Sequence, residues 1–338
     1  MLSIADPALV SALAPAFVAF GLFLVVTSVW PRPSAASRPV VIAISLGFMG
    51  QYVWWRITAT LPSPALSFEY AIALGFLVAE TGGALAAALS LVFLTRRRDR
   101  SVDADINAEW LARRSGYPLV DVLICSYNEE RTILERTIVG AQAMDYPNFR
   151  VWMLDDSRRD WLKILCARLG CRYVSRPDNR HAKAGNINHA LKILASLPDP
   201  PAFVSILDAD FVPTPRFLTR AMSLFRDPTI GVVQTPQHFV NPDPIQINLG
   251  AIKFWPDEQR YFFDIVMPAK DAWSAAFCCG TSSIIRMKPL SEIGGFPTDS
   301  VTEDYLLTLR LKEMGYTTAY LNEPLTFGLA LDPVSCTS

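Results

Sequence analysis

The chain has 338 residues, a formal net charge of -1 and 51% hydrophobic residues. That length suggests about two domains, and a near-neutral charge leaves no footprint for nucleic acid as a partner. The six cysteines include no Cys-x-x-Cys pair and no histidine lies at zinc-ligand spacing, which argues against a disulfide framework and fits a reduced, cytosolic compartment.

The apolar excess sits in the first 95 residues, as three stretches that run Ala8–Trp30, Pro39–Leu61 and Phe68–Thr95. A helix needs about 20 apolar residues to cross a bilayer core, so each is long enough to span. The first is too long for a cleaved signal peptide and lacks its basic region. Charge enters these stretches only as Arg56, Glu69 and Glu80. Arg32 and Arg38 follow the first span, no arginine lies in the turn after the second, and Arg96, Arg97, Arg98 and Arg100 follow the third. The excess of basic residues on the inner side then places the amino terminus outside and the rest of the chain in the cytoplasm. Arg56 lies near the outer end of its span beside Trp54 and Trp55, where its head group reaches the interface.

From Asp103 onward, apolar runs of strand length alternate with helical patterns, the signature of a mostly parallel α/β sheet. The expected order is a strand at Leu119–Ser126, a helix at Glu129–Ala143 capped by Asn128, and a strand at Phe149–Leu154. A helix at Trp161–Leu169, a short strand at Cys171–Val174 and a helix at Ala184–Leu197 follow. Then come a strand at Phe203–Leu207, a helix at Pro215–Phe225, strands at Ile230–Thr235 and Ser282–Arg286, and a helix at Thr302–Met314 with Thr302 as its cap.

Three of these strands end in polar groups: Ser126-Tyr127-Asn128-Glu129, Asp155-Asp156 and Asp208-Ala209-Asp210. Like charges gathered where strands converge repel one another. Ligands of open α/β sheets bind at that edge, so a cation, or a base and ribose, would account for the cluster. Two carboxylates one residue apart can share a hard divalent cation, which in turn holds a diphosphate. Lys183, in His181-Ala182-Lys183-Ala184-Gly185-Asn186, stands at a helix start, where the macrodipole disfavours a cation unless an anion is bound there. Glycines at 280, 294 and 295 allow close backbone approach. The aromatics Phe239, Phe254, Trp255, Tyr261, Phe262, Phe263 and Trp273 suit sugar faces, a protein core or a membrane surface equally.

To the motifs already quoted, the chain adds Gln234-Thr235-Pro236, Asn241-Pro242-Asp243-Pro244-Ile245-Gln246, Phe277-Cys278-Cys279-Gly280 and Thr302-Glu303-Asp304. In this order, behind transmembrane spans that include Tyr52-Val53-Trp54-Trp55-Arg56, the set resembles the family 2 inverting glycosyltransferases of the membrane-embedded cellulose synthase type. The resemblance implies three transmembrane helices in 1–95, a cytoplasmic linker in 96–117 and a GT-A-like transferase domain in 118–338, all held in the inner membrane as a multi-pass protein. It implies UDP-glucose as donor, Mg²⁺ or Mn²⁺ as cofactor, a growing β-glucan as acceptor, and membrane lipid and further synthase subunits as partners. By motif, Tyr127 and Glu129 border uracil and ribose, Asp155, Asp156 and Gln234 contact the nucleotide, and Lys183 the diphosphate. Asp208 and Asp210 bind the metal. Asp304 is the general base, and Cys278, Cys279, Gly280 and Glu303 line the acceptor end.

One departure stands out. The family continues to a Gln-x-x-Arg-Trp motif and further spans, which this sequence does not contain, so the chain reads as a C-terminally truncated member. A processive β-glucan synthase is the first expectation. The alternatives are a curdlan-type or other polysaccharide synthase, a non-processive transferase, and an inactive membrane-bound nucleotide-sugar binder.

Overall fold

The computed structural model describes residues 7–32, 34–64, 67–113, 116–250 and 252–329. The chain divides into two units, Met1–Arg97 and Arg98–Ser338. The first consists of helices α1 (Pro7–Val29), α2 (Ser37–Trp55) and α3 (Phe68–Phe93), and α2 passes into a π turn at Arg56–Thr60. Ser37–Thr60 and Phe68–Phe93 are long and apolar enough to cross a membrane, whereas the described apolar stretch of α1, Leu13–Val29, is shorter. These helices turn apolar side chains outward with almost nothing buried inside the chain, the reverse of a water-soluble bundle. Two of their internal charges meet: the Arg56 guanidinium, at the start of the π turn, donates to Glu80 Oε2 of α3 at 2.6 Å, the pairing expected of charges placed among apolar helices.

The second unit begins with α4 (Ser101–Ala112), β1 (Val120–Ser126), α5 (Arg131–Gln142), β2 (Phe149–Asp155), α6 (Asp160–Arg168), β3 (Arg172–Val174) and α7 (Ala182–Ala195). It continues through β4 (Phe203–Asp208), β5 (Val212–Pro213), α8 (Phe217–Ser223), β6 (Ile230–Gln234), β7 (His238–Phe239), α9 (Pro244–Asn248), α10 (Glu258–Tyr261) and α11 (Met267–Ala272). It closes with β8 (Ser283–Arg286), α12 (Met287–Glu292), α13 (Glu303–Glu313), β9 (Thr317–Tyr320) and β10 (Thr326–Gly328). The main sheet has the order β3-β2-β1-β4-β8-β6-β9. β8 runs antiparallel to both its neighbours, and the other pairs are parallel. β1 is buried along its whole length, as expected of a central strand covered on both faces. Two apolar layers enclose it, one around Leu134, Ile138, Leu162 and Phe217, the other around Ile187, Leu194, Leu290 and Leu307. A small sheet, β5-β10-β7, lies beside it.

Four expectations need correction. Residues 98–112 are not a linker. Arg98 onward belongs to the second unit, and α4 packs on α8 with Ala104 and Leu111 buried. α5 starts two residues later than expected, at Arg131 with Glu130 at its cap position. Asn128 does not cap it, because Tyr127 to Glu129 form a turn of their own. The Pro215–Phe225 helix shortens to α8 and ends in a 3₁₀ turn, Leu224–Arg226. Thr302 precedes α13 but makes no capping hydrogen bond, since its hydroxyl pairs with that of Ser300 at 3.1 Å.

α4 is clamped by buried charge. Arg100 donates to both oxygens of Asp271 at 2.6 and 2.9 Å, and neither residue is exposed. Arg220 of α8 donates to Asp105 Oδ1 at 2.6 Å and to the Ser101 carbonyl at 3.1 Å, and also pairs with Glu323. Removing one member of such a pair leaves the other charge buried alone, which costs about 3–5 kcal/mol. Asp271→Asn should therefore lower the melting temperature of the detergent-solubilised chain by about 10 °C. The apolar double replacement Arg100→Met with Asp271→Leu should recover most of the loss. A melt unchanged in the single variant would show that the clamp contributes nothing.

Candidate active site

The carboxyl ends of β1, β2 and β4 open onto one cavity of about 690 Å³. Its lining includes Tyr127, Glu129, Asp156, Lys183, Asn186, Asp208 and Asp210. At the end of β1 the chain curls back on itself. The Glu129 carboxylate accepts from the Ser126 hydroxyl at 2.6 Å and from the Tyr127 N–H at 2.9 Å. This turn leaves the Tyr127 ring 63% exposed at the cavity, a free face for a planar base.

The two acidic residues at the end of β2 part company, because successive strand residues point to opposite faces. Asp155 points inward and is fully buried. It accepts from the Arg159 guanidinium at 2.9 and 3.1 Å, the Arg159 N–H at 2.7 Å, the Tyr173 hydroxyl at 2.9 Å and the Ser157 N–H at 3.0 Å. With so many donors already on it, Asp155 organises the turn and does not line the cavity. Asp156 does line it, held by two bonds from Arg176 at 2.6 and 2.7 Å.

Arg176 is the residue that sequence reasoning missed. Besides Asp156 it donates to the carbonyls of Arg180 at 2.6 Å and Ala182 at 2.7 Å. One guanidinium thus ties the 176–182 loop to the end of β2. The loop then enters α7 through two left-handed residues, His181 at φ 59° and Ala182 at φ 42°, a conformation side chains adopt only under constraint. Gly185 explains part of it: a methyl group there would run into the Arg180 carbonyl and the Arg176 guanidinium. Arg176 carried no signal, because a lone arginine before Pro177 belongs to no charge pattern.

The loop delivers Lys183 into the cavity, where its ammonium pairs with Asp208 and donates to the Gly280 carbonyl at 2.8 Å. Burial, the largest single influence, lowers the ammonium's proton affinity, but the charge and hydrogen bond of Asp208 together with the nearby Cys125 and Glu303 outweigh it and leave Lys183 raised. The turn after β4 is fixed by the Thr281 hydroxyl, which accepts from the Asp208 N–H at 2.8 Å, and by Thr137, which donates to the Ala209 carbonyl at 2.6 Å. Asp210 stands beside Asp208 in the same cavity. Its carboxyl is pushed up to about 6, by burial first and then by the charge of Asp208.

Asp304, in the first turn of α13, approaches from across Gly280. Gly280 has φ 80°, and a Cβ on it would lie 3.2 Å from Asp304 Oδ2 and 3.7 Å from Lys183 Nζ. The lack of a side chain keeps that space open between a carboxylate and an ammonium. Glu303 neighbours Asp304 and is half-buried. Gln234 is fully buried and away from the cavity. Its amide donates to the carbonyls of Thr235 and Thr281 and accepts from the Cys279 N–H at 2.8 Å. It shapes the 278–282 loop rather than a ligand. Cys278 is likewise buried, its thiol pushed up to about 11 by burial, and burial also raises Cys279. Both stay neutral thiols, without nucleophilic character.

Among the described residues no three His, Cys, Asp or Glu side chains converge as a closed metal cage. A divalent cation that is also held by a diphosphate asks for less. Asp208 and Asp210 offer hard oxygens, and the Asp210 carboxyl is strained by its neighbour's charge. The pair fits Mg²⁺ or Mn²⁺ with coordination positions left for phosphate oxygens.

Residues 121–294 match the family model Glycosyl transferase family 2. A cellulose synthase catalytic subunit (UDP-forming) of Pseudomonas fluorescens (strain SBW25) is 36% identical over 325 residues, which cover 93% of this chain and 41% of that protein. Putative cellulose synthase 2 of Komagataeibacter xylinus is 38% identical over 298 residues, covering 86% of this chain and 19% of its own length. The chain therefore spans less than half the length of these curated relatives. Among solved structures, a mannosyltransferase from Pyrobaculum calidifontis in complex with GDP-Man and Mn2+ superposes with a TM-score of 0.50 at 20% identity, covering 73% of this chain and 69% of that one. That likeness is one of fold, and it agrees with a GT-A-like, mostly parallel sheet whose strand ends carry the acidic cavity. With a family model over about half of its length and that cavity inside the matched region, the chain belongs to glycosyl transferase family 2.

Proposed function

We propose that the second unit binds UDP-glucose and transfers glucose, with inversion, to the end of a growing β-glucan. The observation that carries this reading is the Gly280 gap. It sets the Asp304 carboxylate on one side and the Lys183 ammonium, paired with Asp208, on the other. A donor sugar between them would have its diphosphate toward Lys183 and its anomeric carbon toward Asp304. The cellulose synthase relatives, one of them named UDP-forming, support the choice of donor and polymer.

In this reading Tyr127 packs against uracil, while Glu129 and Asp156 face the uridine. Lys183 neutralises the diphosphate. Asp208 and Asp210 would hold Mg²⁺ or Mn²⁺, which stabilises negative charge developing on the departing UDP. Asp304 takes the proton from the acceptor hydroxyl as that oxygen forms its bond to the anomeric carbon. The bond from that carbon to the diphosphate oxygen breaks on the opposite face, and its electron pair leaves with UDP. The acceptor must enter from the Asp304 side, past Glu303 and the 278–280 backbone. The apolar helices would lie in the inner membrane, and the arginines after α3 support a cytoplasmic second unit.

Three expectations test the assignment. Asp304→Asn should lower transfer by about 10²- to 10⁴-fold, the usual range for a positioned general base, with UDP affinity nearly unchanged in a binding titration. Loss of UDP binding in that variant would refute the role. Asp210→Asn should weaken Mg²⁺-dependent UDP binding by about tenfold or more, yet make the ligand-free chain more stable near neutral pH. The sign follows from a folded-state value of about 6 against an ordinary 3.8. The folded state holds this proton more tightly, so stability is lost as pH rises from about 4 through 6. Melting curves should show the variant's gain at pH 7.5 and none at pH 4.

The donor and topology are tested together with labelled UDP-glucose and Mg²⁺ on oriented vesicles. Membranes with the cytoplasmic face outward should yield long β-glucan, and sealed right-side-out membranes none. Mono- and disaccharide products alone would sink the processive reading.

A further inference from the structure

Behind the donor cavity lies a second cleft of about 340 Å³. Its lining includes Arg180, His181, His189 and Lys192, and so holds two of the chain's three histidines. His181, Gly185, His189 and Lys192 fall on one face of α7 at helical spacing. Lys183 and Asn186 on the other face line the donor cavity. Among the described residues, none of the four basic side chains has a carboxylate within ion-pair distance. The one acid in the lining, Asp178, accepts from the Arg180 backbone N–H at 3.1 Å. The remaining arginine of the cleft, Arg176, is already matched by Asp156. The cleft is thus concave and basic, with donors that the fold leaves unused.

The wall between the two cavities is the 176–182 loop. Arg176 reaches the back cleft and fastens the loop to Asp156 at the front. The left-handed pair His181 and Ala182 leads from Arg180 at the back to Lys183 at the front. A loop held in such a conformation by the Arg176 and Arg158 guanidiniums and by the Asn179 amide on the Asp156 carbonyl has few ways to move on one side without moving on the other.

We propose that this cleft is a second anion site, which takes a phosphate-bearing group and tunes donor affinity through the 176–182 loop. Guanidinium, ammonium and imidazolium donors suit phosphate oxygens, and concavity favours a small anion over a flat surface. The tuning half rests on the donor reading given above, whereas the anion site does not.

The test uses the full chain in phospholipid-free detergent, with inorganic phosphate as the probe. His189→Gln combined with Lys192→Gln removes two donors without touching the donor cavity. Calorimetric titration should show saturable phosphate binding in the natural chain, both alone and with UDP and Mg²⁺ saturating, weakened about tenfold or more in the double variant. UDP affinity without phosphate, and the melting temperature, should be the same in both chains. Phosphate should shift UDP affinity about fivefold or more in the natural chain only, within the usual range of site–site coupling. No phosphate binding, binding that UDP displaces, or binding unchanged in the variant would overturn the site. Binding without a shift in UDP affinity would overturn the tuning. Failure of UDP to bind at all would count against the donor reading and leave the phosphate arm intact. Repeating the titration in phosphatidylglycerol nanodiscs separates the sources: loss of the phosphate signal there assigns the site to lipid head groups, and its persistence to a free anion.

Discussion

Negative charge crowded onto the carboxyl edge of a buried parallel sheet is the constraint from which the second unit's architecture follows. Asp155, Asp156, Asp208 and Asp210 end β2 and β4, the strands on either side of β1, or the turns beyond them. A carboxylate withdrawn from water must be matched by a cation or by several donors. Asp155 recruits Arg159 from the start of α6, Asp156 recruits Arg176 from the loop after β3, and Asp208 recruits Lys183 from the start of α7. Each partner comes from the segment that must fold back over the sheet, so neutralising the edge also closes the loops around the cavity. Among the described residues Asp210 alone of the four has no ion-pair partner, and burial together with the charge of Asp208 raises its proton affinity. A divalent cation is the ligand that would complete the set.

The same logic runs away from the cavity. Asp121, buried within β1, is matched by two bonds from Arg150 of β2 at 2.6 and 2.7 Å. Asp271 is matched by Arg100 just before α4. The second of these matters for organisation, because it fixes the start of the second unit immediately after the arginines that follow α3. What composition suggested to be a tether is a helix whose docking depends on the Arg100–Asp271 pair, on Arg220 and on a few apolar side chains.

Much of this was legible in the sequence, and the failures share a cause. Apolar runs gave β1, β2, β3, β4, β6 and β8 within a residue or two, since a buried strand leaves little choice of residue, whereas β9 and the short β5, β7 and β10 were not expected. Lys183, Asp208, Asp210, Tyr127 and Asp156 are indeed brought to one cavity. Asp155 and Gln234 are not, because a polar residue at a strand end reads as ligand-facing whichever face it occupies. Adjacency to Asp156 required one of the two to turn inward, and pairing of the Gln234 amide with three carbonyls is a tertiary event with no local signature. Arg176 and α4 escaped for the same reason. Their roles exist only once the chain has brought distant residues together.

If Asp304 meets the acceptor and Asp208 and Asp210 the leaving group, as proposed, keeping them apart is a problem of electrostatics as much as of position. Lys183 and the bare backbone of Gly280 stand between Asp208 and Asp304: the Gly280 carbonyl takes one ammonium hydrogen, and its missing side chain leaves room beside Asp304. A residue with a Cβ at position 280 would both strain the positive φ and fill the gap. In the proposed reading, the glycine is therefore where the two halves of the chemistry are kept apart, with Asp304 and Lys183 both facing the gap it leaves.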